Sequence, residues 1–222
     1  MSPNGCARGG RRHFPLWRPS RCRPQGAYRP VNNIKRVAVY CGSAMGAQPV
    51  FADAADALAA AMVERDVDLV YGGGKLGLMG RTADAVLRCG GKVFGVIPDA
   101  LVNLEVAHEG VTELHKVADM HERKAKMTEL ADAFVALPGG IGTLDELFEA
   151  WSWNALGYHA KPFCLLNIDN FWNGMIEFID HATACGFLSA QRRGQLLVAQ
   201  TPEEALKKLD EAAGTAAQGI VW

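Results

Sequence analysis

The chain has 222 residues, 49% of them hydrophobic and 21% charged, so it can bury one substantial core. Its formal charge of −1 is unevenly distributed: residues 1–33 contain seven arginines and no acid, leaving residues 34–222 with 16 basic and 24 acidic side chains, a charge of −8. That acidic body lacks the cation cluster that nucleic-acid phosphates require, and no apolar run is long enough to span a bilayer. We therefore expect neither a nucleic-acid nor a membrane partner.

The segment 1–33 is rich in Pro, Gly and Arg and has no helical or strand periodicity, so we expect it to be disordered. A nucleic-acid arm and an organelle transit peptide both fit an Arg-rich segment without acids. The prolines and the missing amphipathic pattern argue against a transit peptide, and we favour a dispensable extension. Residues 34–222 are predicted to form a single domain.

The cysteines are scattered, without CxxC pairs or the spacing of metal ligands. This pattern favours reduced thiols in the cytoplasm over a disulfide framework or a zinc site. We therefore expect no metal in this protein. The six cysteines are Cys6, Cys22, Cys41, Cys89, Cys164 and Cys185.

From residue 34 onward, short apolar runs alternate with stretches of helical periodicity. Strands are predicted at 37–40, 67–71, 93–97, 133–137 and 163–166. Helices are predicted at 49–65, 78–89, 119–131, 143–156, 171–185 and 202–213. Residues 99–116 are the least regular part and are interpreted as a mobile loop near the site.

This alternation predicts βαβ units and a Rossmann-like α/β fold, a doubly wound, mostly parallel sheet with helices on both faces. In such sheets, ligands bind beyond the carboxyl ends of the strands, at the topological switch point. Three glycine turns occupy that edge, each between a strand and a helix: Gly42-Ser43, 72–74 and 139–143. Because helix N-termini offer unpaired N–H groups and a positive dipole end, the turns predict a phosphate-bearing ligand.

Two common phosphate motifs can be tested against these turns. A Walker A loop is excluded because GK[ST] does not occur. Gly72, Gly74 and Gly77 satisfy the dinucleotide-binding pattern GxGxxG. Asp99 follows them at nearly the sequence separation expected of the acid that binds the ribose. However, the motif follows the second predicted strand rather than the first. Dinucleotide binding therefore stays as an alternative.

Spacing alone leaves the charged residues near the third turn open to two interpretations. Thr143 and Glu146 have the spacing of a capping box, which favours a helix-cap role for the glutamate. Asp119 and Arg123 stand at i and i+4, as in a solvated ion pair on a helix surface. Lys75, beside the second turn, can neutralise a phosphate or be solvated.

Three segments together carry a family resemblance: LPGGIGTLDE at 137–146, MHERKA at 120–125 and YGGGKLGLMG at 71–80. The chain from Arg36 to about Leu188 resembles the Lonely Guy (LOG) family of cytokinin riboside 5′-monophosphate phosphoribohydrolases, often labelled lysine decarboxylases. The resemblance implies a Rossmann-like homodimer without a cofactor. It also implies hydrolysis of the N-glycosidic bond of a nucleoside 5′-monophosphate, a cytokinin nucleotide or AMP, into free base and ribose 5-phosphate.

The resemblance also assigns roles to residues. It makes Arg123 and Glu146 the catalytic pair, the carboxylate stabilising an oxocarbenium-like state or orienting water. It places the 5′-phosphate on Gly139, Gly140, Gly142 and Thr143. Further candidates for phosphate, ribose or substrate contact are Gly42, Ser43, Gly73, Gly74, Lys124, Met120 and Lys75. The preferred base stays open, and a nucleotide-binding module without hydrolytic activity is the alternative function.

Overall fold

The computed structural model describes residues 34–104 and 106–216, so the predictions for segment 1–33 lie outside the described residues. The strands are β1 (Arg36–Tyr40), β2 (Asp68–Tyr71), β3 (Val93–Pro98), β4 (Glu113–Val117), β5 (Ala133–Ala136), β6 (Phe163–Leu166) and β7 (Leu196–Ala199). The helices are α1 (Pro49–Glu64), α2 (Gly77–Arg88), α3 (Met120–Leu130), α4 (Ile141–Ala155), α5 (Asn173–Ala184), α6 (Ala190–Gln195) and α7 (Pro202–Ala216).

Within the described residues the strands form one seven-stranded sheet in the order β4-β3-β2-β1-β5-β6-β7. All six strand pairs are parallel, which confirms the predicted doubly wound α/β fold. The chain starts at the central strand β1 and moves outward to β4. It then returns to β5 on the other side of β1, so the topological switch point lies between β1 and β5.

Helices cover both faces of the sheet. One core cluster packs α1, α2 and α7 against the sheet, and the other packs α3, α4 and α5 against the opposite face. After Arg36 at the start of β1, strands β1 and β5 are buried at every position and contain no charged residue, as expected for strands covered on both faces. No helix in the part of the chain that the structure describes is long and apolar enough to cross a membrane.

The structure differs from the predicted elements in two respects. It adds β4, α6 and β7, and all of β4 except Val117 falls in the region interpreted as a mobile loop. It also starts α4 at Ile141 rather than Thr143, with Gly140 as the N-cap residue and no side-chain cap bond. This start places Thr143 inside the helix and removes Glu146 from the N3 position that a capping box requires.

Candidate functional site

The switch point brings the first and third glycine turns into contact. Because β1 and β5 pair in parallel, the turns that follow them leave the sheet side by side. The Gly42 N–H donates to the Pro138 carbonyl at 3.1 Å. A Cβ atom at Gly139 would overlap the Thr143 hydroxyl and lie 2.9 Å from the Gly42 nitrogen. Glycine at 139 is therefore required for this close approach.

Helix α4 begins in the third turn with its backbone uncovered. Its N-cap residue, Gly140, makes no side-chain cap bond, and among the described residues no atom lies within 4 Å of a Cβ placed at Gly140 or Gly142. Thr143 is buried, and its side chain lies against Gly139. The four residues predicted to hold the phosphate therefore lie together at the N-terminus of a 15-residue helix, where N–H groups and the helix dipole favour an anion.

The second glycine turn packs against the first through Gly77. This residue has a positive φ of 60°, and a Cβ atom there would collide with the backbone of Ser43. Its packing role accounts for the last glycine of the GxGxxG pattern without a dinucleotide. The pattern also follows β2, which is one strand away from the switch point.

Arg123 is buried rather than solvated, with 3% of its surface exposed. Its Nη2 donates to the Gly72 carbonyl at 2.9 Å, and a Cβ atom at Gly72 would overlap the guanidinium. Asp119 is not its surface partner in an i, i+4 pair: Asp119 is the N-cap of α3, and its Oδ1 accepts from the Glu122 N–H at 2.9 Å. The interpretation as a surface ion pair is therefore wrong.

Glu146 is half-buried in the second turn of α4. Burial, and then the Glu146 charge, raise the pKa of Tyr40 and of Cys41 at the end of β1. Arg123 acts on the same Cys41 thiol in the opposite direction, lowering its pKa. The charges of the two predicted catalytic residues therefore both act on the Cys41 thiol, which directly follows β1.

Lys124 has two carboxylate partners on α4. Its Nζ lies 3.1 Å from Asp145 Oδ2 and also contacts Glu149 Oε2, both on α4. Partial burial opposes the charged form, but the Glu149 and Asp145 carboxylates outweigh it and raise the pKa of Lys124. A substrate phosphate would have to compete with these two carboxylates for the ammonium.

The remaining candidates lie around the second turn and the start of α3. The Met120 sulfur is 3.6 Å from Nη1 of Arg123. Gly73 has a positive φ of 79°, and its carbonyl accepts from the His108 N–H at 2.9 Å. Gly74 forms an isolated bridge with Ala107.

Lys75 and Ser43 are both exposed. The Lys75 side chain lines a separate cavity of ≈ 450 Å³, together with Asn103 and His108. Ser43 belongs to the first turn and packs against Gly77 through its backbone.

Several residues that shape the site were not singled out from the sequence. Gly72 lies inside a quoted motif, but nothing in the sequence indicates that a guanidinium needs its missing side chain. Asp145 and Glu149 lie on a different helix from Lys124, and no local spacing in the sequence links them to it.

The described residues contain no group of three His, Cys, Asp or Glu side chains arranged to hold a metal ion.

Comparisons with known proteins show which family this chain resembles in sequence. Residues 79–209 match a family model described as "Possible lysine decarboxylase". The chain is 47% identical over 191 residues to the cytokinin riboside 5′-monophosphate phosphoribohydrolase LOG of Oryza sativa subsp. japonica, covering 86% of this chain and 79% of that protein. It is also 47% identical over 189 residues to the corresponding enzyme LOG3 of Arabidopsis thaliana, covering 85% and 88%.

Among solved structures, the molybdenum cofactor binding protein of Rippkaea orientalis has a TM-score of 0.62 at 18% identity. The match covers 81% of this chain and 97% of that protein. At this level of identity the likeness shows the fold alone.

An all-parallel sheet with glycine turns at its switch point defines a Rossmann-like α/β protein, and the buried arginine beside the second turn belongs to the candidate site at that edge. The sequence identity of 47% over most of the chain identifies the family, which the fold alone does not. The chain belongs to the LOG family, whose family model carries the lysine decarboxylase description.

Proposed function

We propose that the protein hydrolyses the N-glycosidic bond of cytokinin riboside 5′-monophosphates and releases free base and ribose 5-phosphate. Relatives that carry this name match most of the chain at 47% identity. The observation that supports the proposal most is the burial of the Arg123 guanidinium against the Gly72 carbonyl, beside the glycine turns. Residues 34–222 serve as one catalytic domain, and AMP is a candidate second substrate that the test below includes.

In this proposal the substrate phosphate binds at the N-terminus of α4. Gly139, Gly140, Gly142 and Thr143 supply backbone N–H groups and a hydroxyl, in agreement with the uncovered start of the helix. The Gly42-Ser43 and Gly73-Gly74 turns border the ribose. Met120, next to Arg123, and Lys75, on the outer side of the second turn, contact the substrate more peripherally.

The chemical step builds positive charge on the ribose and negative charge on the departing base. The Glu146 carboxylate stabilises the oxocarbenium-like sugar or orients the attacking water, as carboxylates do in glycosidases. Arg123 is fixed by the Gly72 carbonyl and carries its charge in a buried position, where electrostatic interactions are stronger than in water. There it orients the glutamate or stabilises the departing base.

The working form is proposed to be a cytoplasmic homodimer. Helix α4 and the residue after it expose three apolar side chains, Ile141, Phe148 and Leu156, which are 82%, 38% and 65% exposed. Their spacing of seven and eight residues places them on one side of the helix, and we call this surface the α4 apolar face. Burying it against a second copy removes this apolar surface from water.

The test is direct. Purified protein is incubated with isopentenyladenine riboside 5′-monophosphate and, separately, with AMP, and free base is measured by chromatography. We expect base release from the cytokinin nucleotide. Nucleotide binding without base release from either substrate would refute the proposal in favour of a binding module.

A further inference from the structure

Two adjacent residues in the first turns of α3 have different partners. Arg123 points to the Gly72 carbonyl of the second glycine turn. Lys124 points to α4, where its Nζ contacts Asp145 and Glu149. These two acids stand four residues apart in one helix and flank Glu146 in sequence. One turn of α3 therefore carries Arg123 and, through Lys124, also contacts the helix that carries Glu146.

The contact between Lys124 and Glu149 is largely shielded from water. The two side chains are 16% and 19% exposed, and Oε1 of Glu149 is buried without a hydrogen-bond partner among the described residues. The lysine is the cation that compensates this carboxylate. Because removing one member of a buried pair leaves an uncompensated charge, the α3–α4 packing depends on both.

The charges around Lys124 argue against a role in phosphate binding. Asp145, Glu146 and Glu149 place three carboxylates on adjacent turns of α4, and a phosphate dianion at Lys124 would lie beside them. The uncovered backbone at the start of α4 offers an anion a site without such repulsion.

We propose that Lys124 is a positioning residue: with Glu149 and Asp145 it clamps α3 to α4 and so fixes Arg123 and Glu146 relative to each other. This inference rests on the proposed function. It replaces the phosphate contact predicted for Lys124 from the sequence. An edge-on contact between the rings of His121 and Trp153, at 6.3 Å, joins the same two helices and leaves them packed when the clamp is removed.

The experiment compares Lys124→Met, Lys124→Arg and Glu149→Gln with a matched control, Lys126→Met. Lys126 lies on the same helix and pairs with the 68% exposed Glu129 side chain, away from the site. For each variant, kcat and KM are measured with isopentenyladenine riboside 5′-monophosphate, and the Kd of ribose 5-phosphate is measured by calorimetry.

Loss of the clamp lowers kcat because a misplacement of about 1 Å can cost about 100-fold in rate. We expect Lys124→Met to reduce kcat by about 10- to 100-fold, with the Kd of ribose 5-phosphate changed by less than about 3-fold. Lys124→Arg restores most of the rate because it keeps the charge. Glu149→Gln reduces kcat in the same direction, and it carries the test if Lys124→Met does not fold.

A phosphate-binding lysine gives the opposite pattern. Lys124→Met would then weaken ribose 5-phosphate binding and raise KM at unchanged kcat, and Glu149→Gln would tighten binding by freeing the ammonium. That result, or unchanged kcat in both variants, overturns the clamp and leaves the proposed function intact. Absence of base release by the unmodified protein would overturn the proposed function and the clamp with it.

Discussion

Replacing Gly72 with alanine tests whether the placement of Arg123 is required for catalysis. The new Cβ atom would lie 2.9 Å from Cζ of Arg123 and closer still to Nη2, nearer than side-chain atoms pack. The guanidinium must retreat and release the Gly72 carbonyl, to which it now donates at 2.9 Å. No group that contacts the substrate chemically is removed, so the change acts through position alone.

The size of the effect follows from that hydrogen bond. A bond to a charged group contributes about 1.5–3 kcal/mol. If all of it is lost in the transition state, kcat/KM falls by about 10- to 150-fold, since 1.36 kcal/mol corresponds to a factor of ten. The assay measures initial rates of base release at substrate concentrations well below KM, with the melting temperature recorded in parallel.

Gly174→Ala is the control, because Gly174 lies in α5 and a Cβ atom there would meet nothing within 4 Å. We expect unchanged activity and stability that is equal or raised by up to about 1 kcal/mol. If Gly72→Ala keeps kcat/KM within about 3-fold of the unmodified protein, catalysis does not need the guanidinium at its observed position, and the argument from geometry fails.

Three further predictions address the other parts of the site and fold. Glu146→Gln should lower kcat by at least about 100-fold with little change in melting temperature, because the residue is not a helix cap; a large loss of stability at retained activity would contradict this. Burial, and then the charge of Lys161, lower the pKa of His159 from 6.5 to about 4. As the pH falls from 6.5 to 4, His159 therefore becomes protonated in the unfolded chain but stays neutral in the native state. The free energy of unfolding should therefore drop by up to about 3 kcal/mol between pH 6.5 and 4. When this free energy is measured by urea titration at several pH values, it should fall less with pH in His159→Asn than in the unmodified protein. The same fall in both proteins would refute the assignment. Leu156→Glu on the α4 apolar face should convert a dimer to a monomer in sedimentation experiments, whereas Phe187→Glu, at an 89% exposed position elsewhere, should not; equal masses for the two variants would place the interface elsewhere.

The sequence predicted the central strands well because they are buried on both faces. Such strands appear as continuous apolar runs closed by glycine or proline, and 163–166 has the bounds of β6. Strand β4 was missed because it is an edge strand with the sequence ELHKV, whose polar residues are partly exposed. Charged residues are typical of edge strands, and they conceal the apolar pattern.

The sequence predicted that the glycine turns share one edge of the sheet, but it did not predict the contacts between them. The structure has the turns on that edge, since the carboxyl ends of parallel strands lie together. The start of α4 was predicted two residues too late, at Thr143 instead of Ile141. The capping rule identifies a helix start by a polar side chain at the N-cap, and the N-cap residue here is Gly140, which has none. The partners of Lys124 lie on another helix, about 20 to 25 residues along the chain, which local spacing rules do not reach.

The contact between the glycine turns has a consequence for how the binding edge forms during folding. Its parts follow β1, β2 and β5, and they meet through the Gly42–Pro138 hydrogen bond and the Gly77–Ser43 packing. Such non-local contacts form only after the intervening chain has closed into loops. The edge is therefore complete only when both neighbours of β1 are paired, and under the proposed function a partly folded chain lacks the complete nucleotide site. A ligand that binds the native state alone stabilises it by mass action, so nucleotide affinity reports the completion of the central sheet.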